Sequence, residues 1–319
     1  MHRRSLFLVF ILICLFSSIL FSQSIAYKTA FKIESNPKEG FYWPYIVFLP
    51  DSEMVKGKSI SLLVAPNNTG TVSDDFKLHE EYANKILKLI EPFSDKLNAA
   101  LLVPIFPRPE SRSRVYTHAL DRDVMLIDND SLRRPDVQLT AMIADLRKRL
   151  SNQGITLQEK ILMFGFSASG MFVNRFTFLH PELVKASAIG SPGGWPIVPV
   201  TKYKHKSLRY PIGIADFKKI AGKSINLSEI KKVKMYFFLG DKDNNDSVPY
   251  SDSYDDQDRQ LIMKYFGPSL QKRWLVCDSL YHSIKLNNAK FVMYPNAEHK
   301  ITTEMKSDLL KFFSKAIKE

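Results

Sequence analysis

The sequence predicts an α/β fold, a mostly parallel central sheet with helices on both faces, and three observations predict it. Apolar runs of strand length recur along the chain: "YIVFL" at Tyr45, "SISLLVA" at Ser59, "AALLVPIF" at Ala99, "KILMFG" at Lys160, "ASAIG" at Ala186, "KMYFFLG" at Lys234 and "KFVMY" at Lys290. Between several of them lie segments with helical periodicity. The runs are continuously apolar and not alternating, the pattern of strands buried on both faces.

Each helix is read from its stripe. "FKLHEEYANKILKLIEPF" carries Leu78, Tyr82, Ile86, Leu89 and Ile90 on one side, and "DVQLTAMIADLRKRL" carries Val137, Ala141, Ala144 and Leu150. "MFVNRFTFLHPEL" reads as a helix straight after the run "KILMF", and a helix with Leu309, Leu310 and Phe313 closes the chain.

The first 26 residues stand apart. "MHRR", the apolar "SLFLVFILICLFSSILF" and the small-residue exit "SQSIA" form an export signal, with Ser24 and Ala26 at the minus-three and minus-one positions before Tyr27. The run is short for a membrane span, so an uncleaved N-terminal anchor is the lesser alternative. The expected organisation is a signal peptide over 1–26 and one domain over 27–319, exported to the periplasm or medium. Loss of the leader removes Cys14 and two arginines, leaving Cys277 as the only cysteine and lowering the formal charge from +12 to +10. One thiol staples nothing, so stability must come from a core, and a chain of this length buries one. The lysines are scattered over "IKKVK", "FKKIAGK" and "KYKHK" with no continuous basic stripe, which excludes a nucleic-acid partner. Weak association with anionic envelope surfaces is the use such a surface allows.

The stretch "GFSASG", Gly165 to Gly170, places Ser167 between a strand and a helix with small residues around it. Such a turn forces its central residue into a strained conformation and holds the side chain out; the motif G-x-S-x-G does this for a nucleophilic serine. Ser169 stands where the last glycine is expected, and the alternative is a serine that merely caps the helix. In open parallel sheets a site forms outside the carboxyl ends of the strands, so partners for Ser167 belong there.

A serine hydroxyl needs a base, and the base needs a carboxylate to hold its tautomer. Three histidines follow Ser167 at a distance. His299 lies in "FVMYPNAEHKITTEM", in the loop between a strand and a helix; His282 reads as a helix-surface residue and His205 as a solvated loop residue. The acid is expected after the preceding strand, in "MYFFLGDKDNNDSVP", where Asp243 is favoured and Asp241 is the rival. The alternation of Asp241, Asp243 and Asn245 suggests a calcium loop. However, Asp246 stands where glycine is required and Pro249 intrudes, so no metal is expected.

An oxyanion hole needs two backbone donors. The Ala168 N–H follows from the turn itself; the second is expected from "PNNTGTVSDDF", at Asn68 or Thr69. Asparagine tolerates left-handed backbone nearly as glycine does. Asn67 opens an N-x-T sequon, expected to be unused because a glycan there would block the site. In "SPGGWPIVP", Trp195 is expected either as a flat apolar wall for substrate or as a core anchor. Arg108, His118 and Asp121, in "RPESRSRVYTHALDRD", read as loop-packing residues more readily than as substrate contacts.

Assembled, these parts resemble the α/β-hydrolase superfamily, and within it the secreted polyhydroxybutyrate-depolymerase and feruloyl-esterase branch. The resemblance runs over most of 27–319, through "SDDF", "DVQLTAMIADLRKRL", "GFSASG", "GDKDNNDSVP" and "PNAEH"; the His-Gly pair usual in the oxyanion loop is replaced by Asn67 and Asn68. It implies Ser167 as nucleophile, Asp243 as acid, His299 as base, no cofactor, and a small-molecule or polymeric ester as substrate. A serine peptidase on the same fold is one alternative, although such enzymes usually add a second domain and no repeat for one is visible. A non-catalytic hydrolase-like binding protein is the other, favoured by the asparagine pair and the missing elbow glycine.

Overall fold

A computed structural model describes residues 26–55, 57–128, 131–250 and 253–319, so the leader read over 1–26 lies, apart from Ala26, outside the described residues. Eight strands form the main sheet: β1 (Ala30–Ile33), β2 (Tyr45–Phe48), β3 (Leu62–Val64), β4 (Ala100–Pro104), β5 (Ile161–Phe166), β6 (Val184–Gly190), β7 (Lys234–Gly240) and β8 (Ala289–Tyr294). Their spatial order is β1-β2-β4-β3-β5-β6-β7-β8. β2 pairs antiparallel with both β1 and β4, and every other pairing is parallel. The run at Ser59 breaks in two: Ser59–Ile60 leaves the sheet to pair with Thr156–Leu157, and only Leu62–Val64 enters it.

The longer helices are α1 (Phe76–Leu97), α2 (Pro135–Ser151), α3 (Ala168–Leu179), α4 (Asp256–Tyr265), α5 (Leu270–Ser283) and α6 (Thr303–Lys318). Their starts follow from local chemistry. Asp75, Ser269 and Thr302 each accept a backbone N–H of the first turn, and Pro135 opens α2 where its missing N–H costs nothing. α1 ends on Asn98 in the left-handed conformation, at φ 49°.

Successive residues of the continuously apolar strands divide between two cores. Ile161, Met163, Met235, Phe237 and Leu239 face one, with Leu139, Met142 and Leu146 of α2, Phe172 and Phe176 of α3, and Trp274 and Tyr281 of α5. Leu162, Phe164, Tyr236 and Phe238 face the other, with Ala83, Leu87 and Ile90 of α1, and Met305, Leu309 and Phe313 of α6. Strand period two explains the division.

Both helical stripes are displaced from expectation. α1 buries His79, Ala83, Leu87, Ile90, Ser94 and Leu97, and leaves Leu78, Tyr82, Ile86 and Leu89 half-buried at the edge of the contact. Two polar residues with internal partners, His79 and Ser94, lie on the buried line and mask its centre. α2 buries Leu139, Met142, Ile143, Leu146 and Leu150 and exposes Val137 and Ala144, because Asp136 and Gln138 are buried with partners at its first turn. Among the described residues no helix is long and apolar enough to cross a membrane.

Candidate active site

β5 delivers Ser167 at its carboxyl end and α3 begins at the next residue, so the chain must reverse within one position. It does so with Ser167 at φ 61°, ψ −128°, a conformation that L side chains seldom adopt. The Ser167 N–H donates to the Gly190 carbonyl of β6 at 2.9 Å, and the Ser167 carbonyl accepts from the Met171 N–H of α3 at 3.1 Å. These bonds over-determine the turn. A side chain on Gly165 would collide with the Ser169 carbonyl, and one on Gly170 with the Gly190 carbonyl, so both positions require glycine. Ser169 fits where a third glycine was expected because its hydroxyl folds back on the strand, donating to the Phe166 carbonyl at 2.9 Å and accepting the Phe166 N–H at 3.0 Å. The Ser167 hydroxyl caps no helix N–H, so capping is not its role.

The loop after β8 carries His299, and the loop after β7 brings Asp243 to it. His299 Nδ1 donates to Asp243 Oδ2 at 2.9 Å, and the His299 ring lies 4.8 Å, centroid to centroid, from Phe166. Asp243 is buried while Asp241 is exposed, so the carboxylate on the histidine is Asp243. Burial pushes the Asp243 carboxyl up, but hydrogen bonds from His299 and from the Asn245 N–H at 2.9 Å more than offset it, and its pKa lies below the ordinary value. It is therefore an anion that accepts the Nδ1–H and orients the ring. His282 is 58% exposed on α5 and His205 is exposed in its loop.

The structure adds a residue to this group. Asn245 Nδ2 lies 2.9 Å from His299 Nε2 and 3.4 Å from Ser167 Oγ, and no direct hydrogen bond joins Ser167 to His299. Its sequence signal was the Asx-rich "DKDNNDS", which reads equally as a capping cluster. The loop is braced from α5: Gln271 Nε2 donates to the Asp243 carbonyl at 2.6 Å, and the buried Arg273 pairs with Asp246. Among the described residues no three His, Cys, Asp or Glu side chains are grouped to hold a metal ion.

Of the oxyanion candidates, the Ala168 and Asn68 N–H groups have no hydrogen-bond acceptor among the described residues, and the Asn68 side chain donates to the Phe166 carbonyl at 3.2 Å, beside Ser167. Thr69 is corrected. Its N–H donates to His118 Nδ1 at 3.3 Å and its hydroxyl bonds His79 Nδ1 at 3.0 Å, so its amide is already engaged. Burial pushes the His118 imidazole down to about 3 and lowers that of His79, so both are neutral at ordinary pH and clamp the loop by hydrogen bonding alone. Asn67 is fully buried and pairs through both amide atoms with the Phe106 backbone, at 2.8 and 3.0 Å, which leaves no room for a glycan.

Trp195 is corrected as a substrate wall: it is fully buried, its Nε1 donates to the Ile212 carbonyl at 3.0 Å, and its ring stacks on Phe266 at 3.9 Å. Volume and an indole N–H with an internal acceptor made the core the better place for it. Arg108, His118 and Asp121 are all buried; Arg108 covers the Tyr116 ring at 3.6 Å and Asp121 caps a short helix through the Val124 N–H.

The chain is similar in fold to solved structures. One is a poly(aspartic acid) hydrolase-1 from Sphingomonas sp. KT-1, 17% identical, covering 90% of this chain and 98% of that chain at a TM-score of 0.60. Another is a poly(3-hydroxybutyrate) depolymerase from Bordetella parapertussis, 16% identical, covering 92% of this chain and 90% of that one at a TM-score of 0.56. The fold is that of the α/β-hydrolases. No protein-family model and no curated protein matches the chain. Within the α/β-hydrolase fold, Ser167, Asp243 and His299 follow strands β5, β7 and β8 at one edge of the sheet, in the chain order serine, acid, histidine.

Proposed function

We propose that this protein is a serine hydrolase that cleaves carboxylic ester bonds through an acyl-enzyme, with Ser167 as nucleophile, His299 as general base and acid, and Asp243 as the carboxylate that orients it. The observation that carries this reading is the serine held at positive φ with its hydroxyl uncapped, beside a histidine whose Nδ1 proton is bound to a buried anion at 2.9 Å. Similarity in fold to a poly(3-hydroxybutyrate) depolymerase supports it.

In the first half-reaction Ser167 Oγ bonds to the ester carbonyl carbon while its proton passes to His299 Nε2 and the carbonyl electron pair moves onto oxygen. The Ala168 and Asn68 N–H groups are the donors for that oxyanion. Collapse breaks the bond to the alkoxide, which takes the proton from Nε2. Water then repeats the sequence on the acyl-enzyme and restores the serine. No step calls for a metal or organic cofactor. The same residues would act on an amide, and a matched pair of nitrophenyl ester and nitroanilide with one acyl group separates the two. Export through the leader belongs to the same proposal, and N-terminal sequencing of the protein from medium or envelope fractions tests it; a start at Tyr27 is expected.

The deciding experiment is labelling of the purified protein with a fluorophosphonate, followed by peptide mapping. A single adduct on Ser167 is expected. A folded protein without an adduct would overturn the reading in favour of a non-catalytic binding protein.

A further inference from the structure

The amide of Asn245 occupies the place where the serine-to-histidine hydrogen bond belongs. Asp243 accepts the His299 Nδ1–H at 2.9 Å, so in the neutral imidazole Nε2 carries the lone pair and a donor must face it. The Asn245 side chain meets that requirement with Nδ2 at 2.9 Å; its carbonyl oxygen in the same place would set two lone pairs against each other. The same Nδ2 donates to Ser167 Oγ at 3.4 Å. Ser167 is therefore an acceptor in this arrangement, and its proton has no hold on the base.

The loop around Asn245 is braced independently of the Asn245 side chain. The Asn245 N–H donates to Asp243 Oδ1 at 2.9 Å, the Val248 N–H to Asp246 Oδ1 at 3.1 Å, Asp246 pairs with the buried Arg273, and Gln271 holds the Asp243 carbonyl. The Asn245 side chain is exposed, and among the described residues its hydrogen-bond partners are Ser167 and His299. It can leave by rotation about its own bonds, with Asp243 and the backbone unmoved.

We infer that Asn245 is a positioning residue that latches the base: in the resting site its amide holds His299 Nε2 and keeps Ser167 from donating to it, and acyl substrate must displace it before proton transfer. The inference rests on the proposed roles of Ser167 and His299. Asp243 faces the ring from the loop after β7, β5 presents the Phe166 ring, and Glu298 and Lys300 on the histidine's own loop pair with each other.

The test compares the rate of fluorophosphonate labelling against pH in the full protein and in two variants. Asn245→Ala removes the donor and opens space; Asn245→Leu removes the donor and keeps the bulk. Both are expected to label Ser167 faster than wild type on the alkaline plateau, by about fivefold, the factor that loss of one neutral hydrogen bond corresponds to. A third variant, Asn245→Gln, which keeps the amide donor, is expected to label at a rate nearer to wild type than either. A rate at or below wild type in both Asn245→Ala and Asn245→Leu would show that Asn245 is inert or assists the reaction and would overturn the latch. Acceleration in Asn245→Ala alone would also overturn it, since space and not the hydrogen bond would then be the cause. Wild-type protein that takes no label on Ser167 would instead count against the proposed function.

Discussion

Ser167 spends backbone strain to present a hydroxyl that caps nothing, and that single hydroxyl carries the proposed chemistry. Ser167→Ala is expected to abolish ester turnover and leave the thermal unfolding midpoint within a few degrees of wild type; near-normal turnover would remove Ser167 from the mechanism. The carboxylate on His299 belongs to Asp243 and not to Asp241. Asp243→Asn should lower kcat by about 10⁴, the scale set when the histidine loses its tautomer-fixing anion, whereas Asp241→Asn should leave kcat near wild type. Steady-state kinetics on one nitrophenyl ester decides between them.

At the scale of elements, the start of α2 depends on a buried anion. Asp136 is fully buried, bonded by Arg134 at 2.8 and 2.7 Å and by His180 Nε2 at 2.9 Å. Burial pushes its carboxyl up, and the hydrogen bonds from Arg134 and His180 overcome this, bringing it down to about 2. A folded-state pKa below the unfolded one gives stability that is present above about pH 4 and lost as pH falls through about 2. Asp136→Asn should therefore lower the midpoint most above pH 5, with the gap to wild type closing toward pH 2 in denaturation scans. α6 is held differently, by an apolar stripe of Met305, Leu309, Phe313 and Ala316 against the sheet. Leu309→Ala should cost about 2–5 kcal/mol in urea unfolding while leaving the fluorophosphonate stoichiometry of the folded protein unchanged.

For the whole molecule, stability rests on two apolar layers with one sheet between them. Cys277 lies inside one of those layers, and burial raises its thiol well above the ordinary value. It should react with a thiol reagent only as fast as the protein unfolds; rapid modification in native buffer would mean that this layer opens. The basic charge is spread over an exposed surface, so binding to anionic vesicles is expected to be weak and to vanish with salt.

The sequence by itself determined seven of the eight strands of the main sheet and the loops in which Ser167, Asp243 and His299 lie, because apolar run length and turn chemistry are local properties. It missed β1, whose "AFKI" is too short and too polar to stand out, and it misplaced the buried lines of α1 and α2, since a polar residue with an internal partner looks like a surface residue until the partner is seen. The site shows the same boundary. The elbow was legible because strain and small residues are written in consecutive positions. Asp243 was favoured over Asp241 from its spacing, but the burial of Trp195 against Phe266, the engagement of Thr69 by His118 and the insertion of Asn245 between Ser167 and His299 were not legible. Each joins residues far apart in the chain through one hydrogen bond or one ring contact, and only the tertiary structure sets such distances to within a few tenths of an ångström.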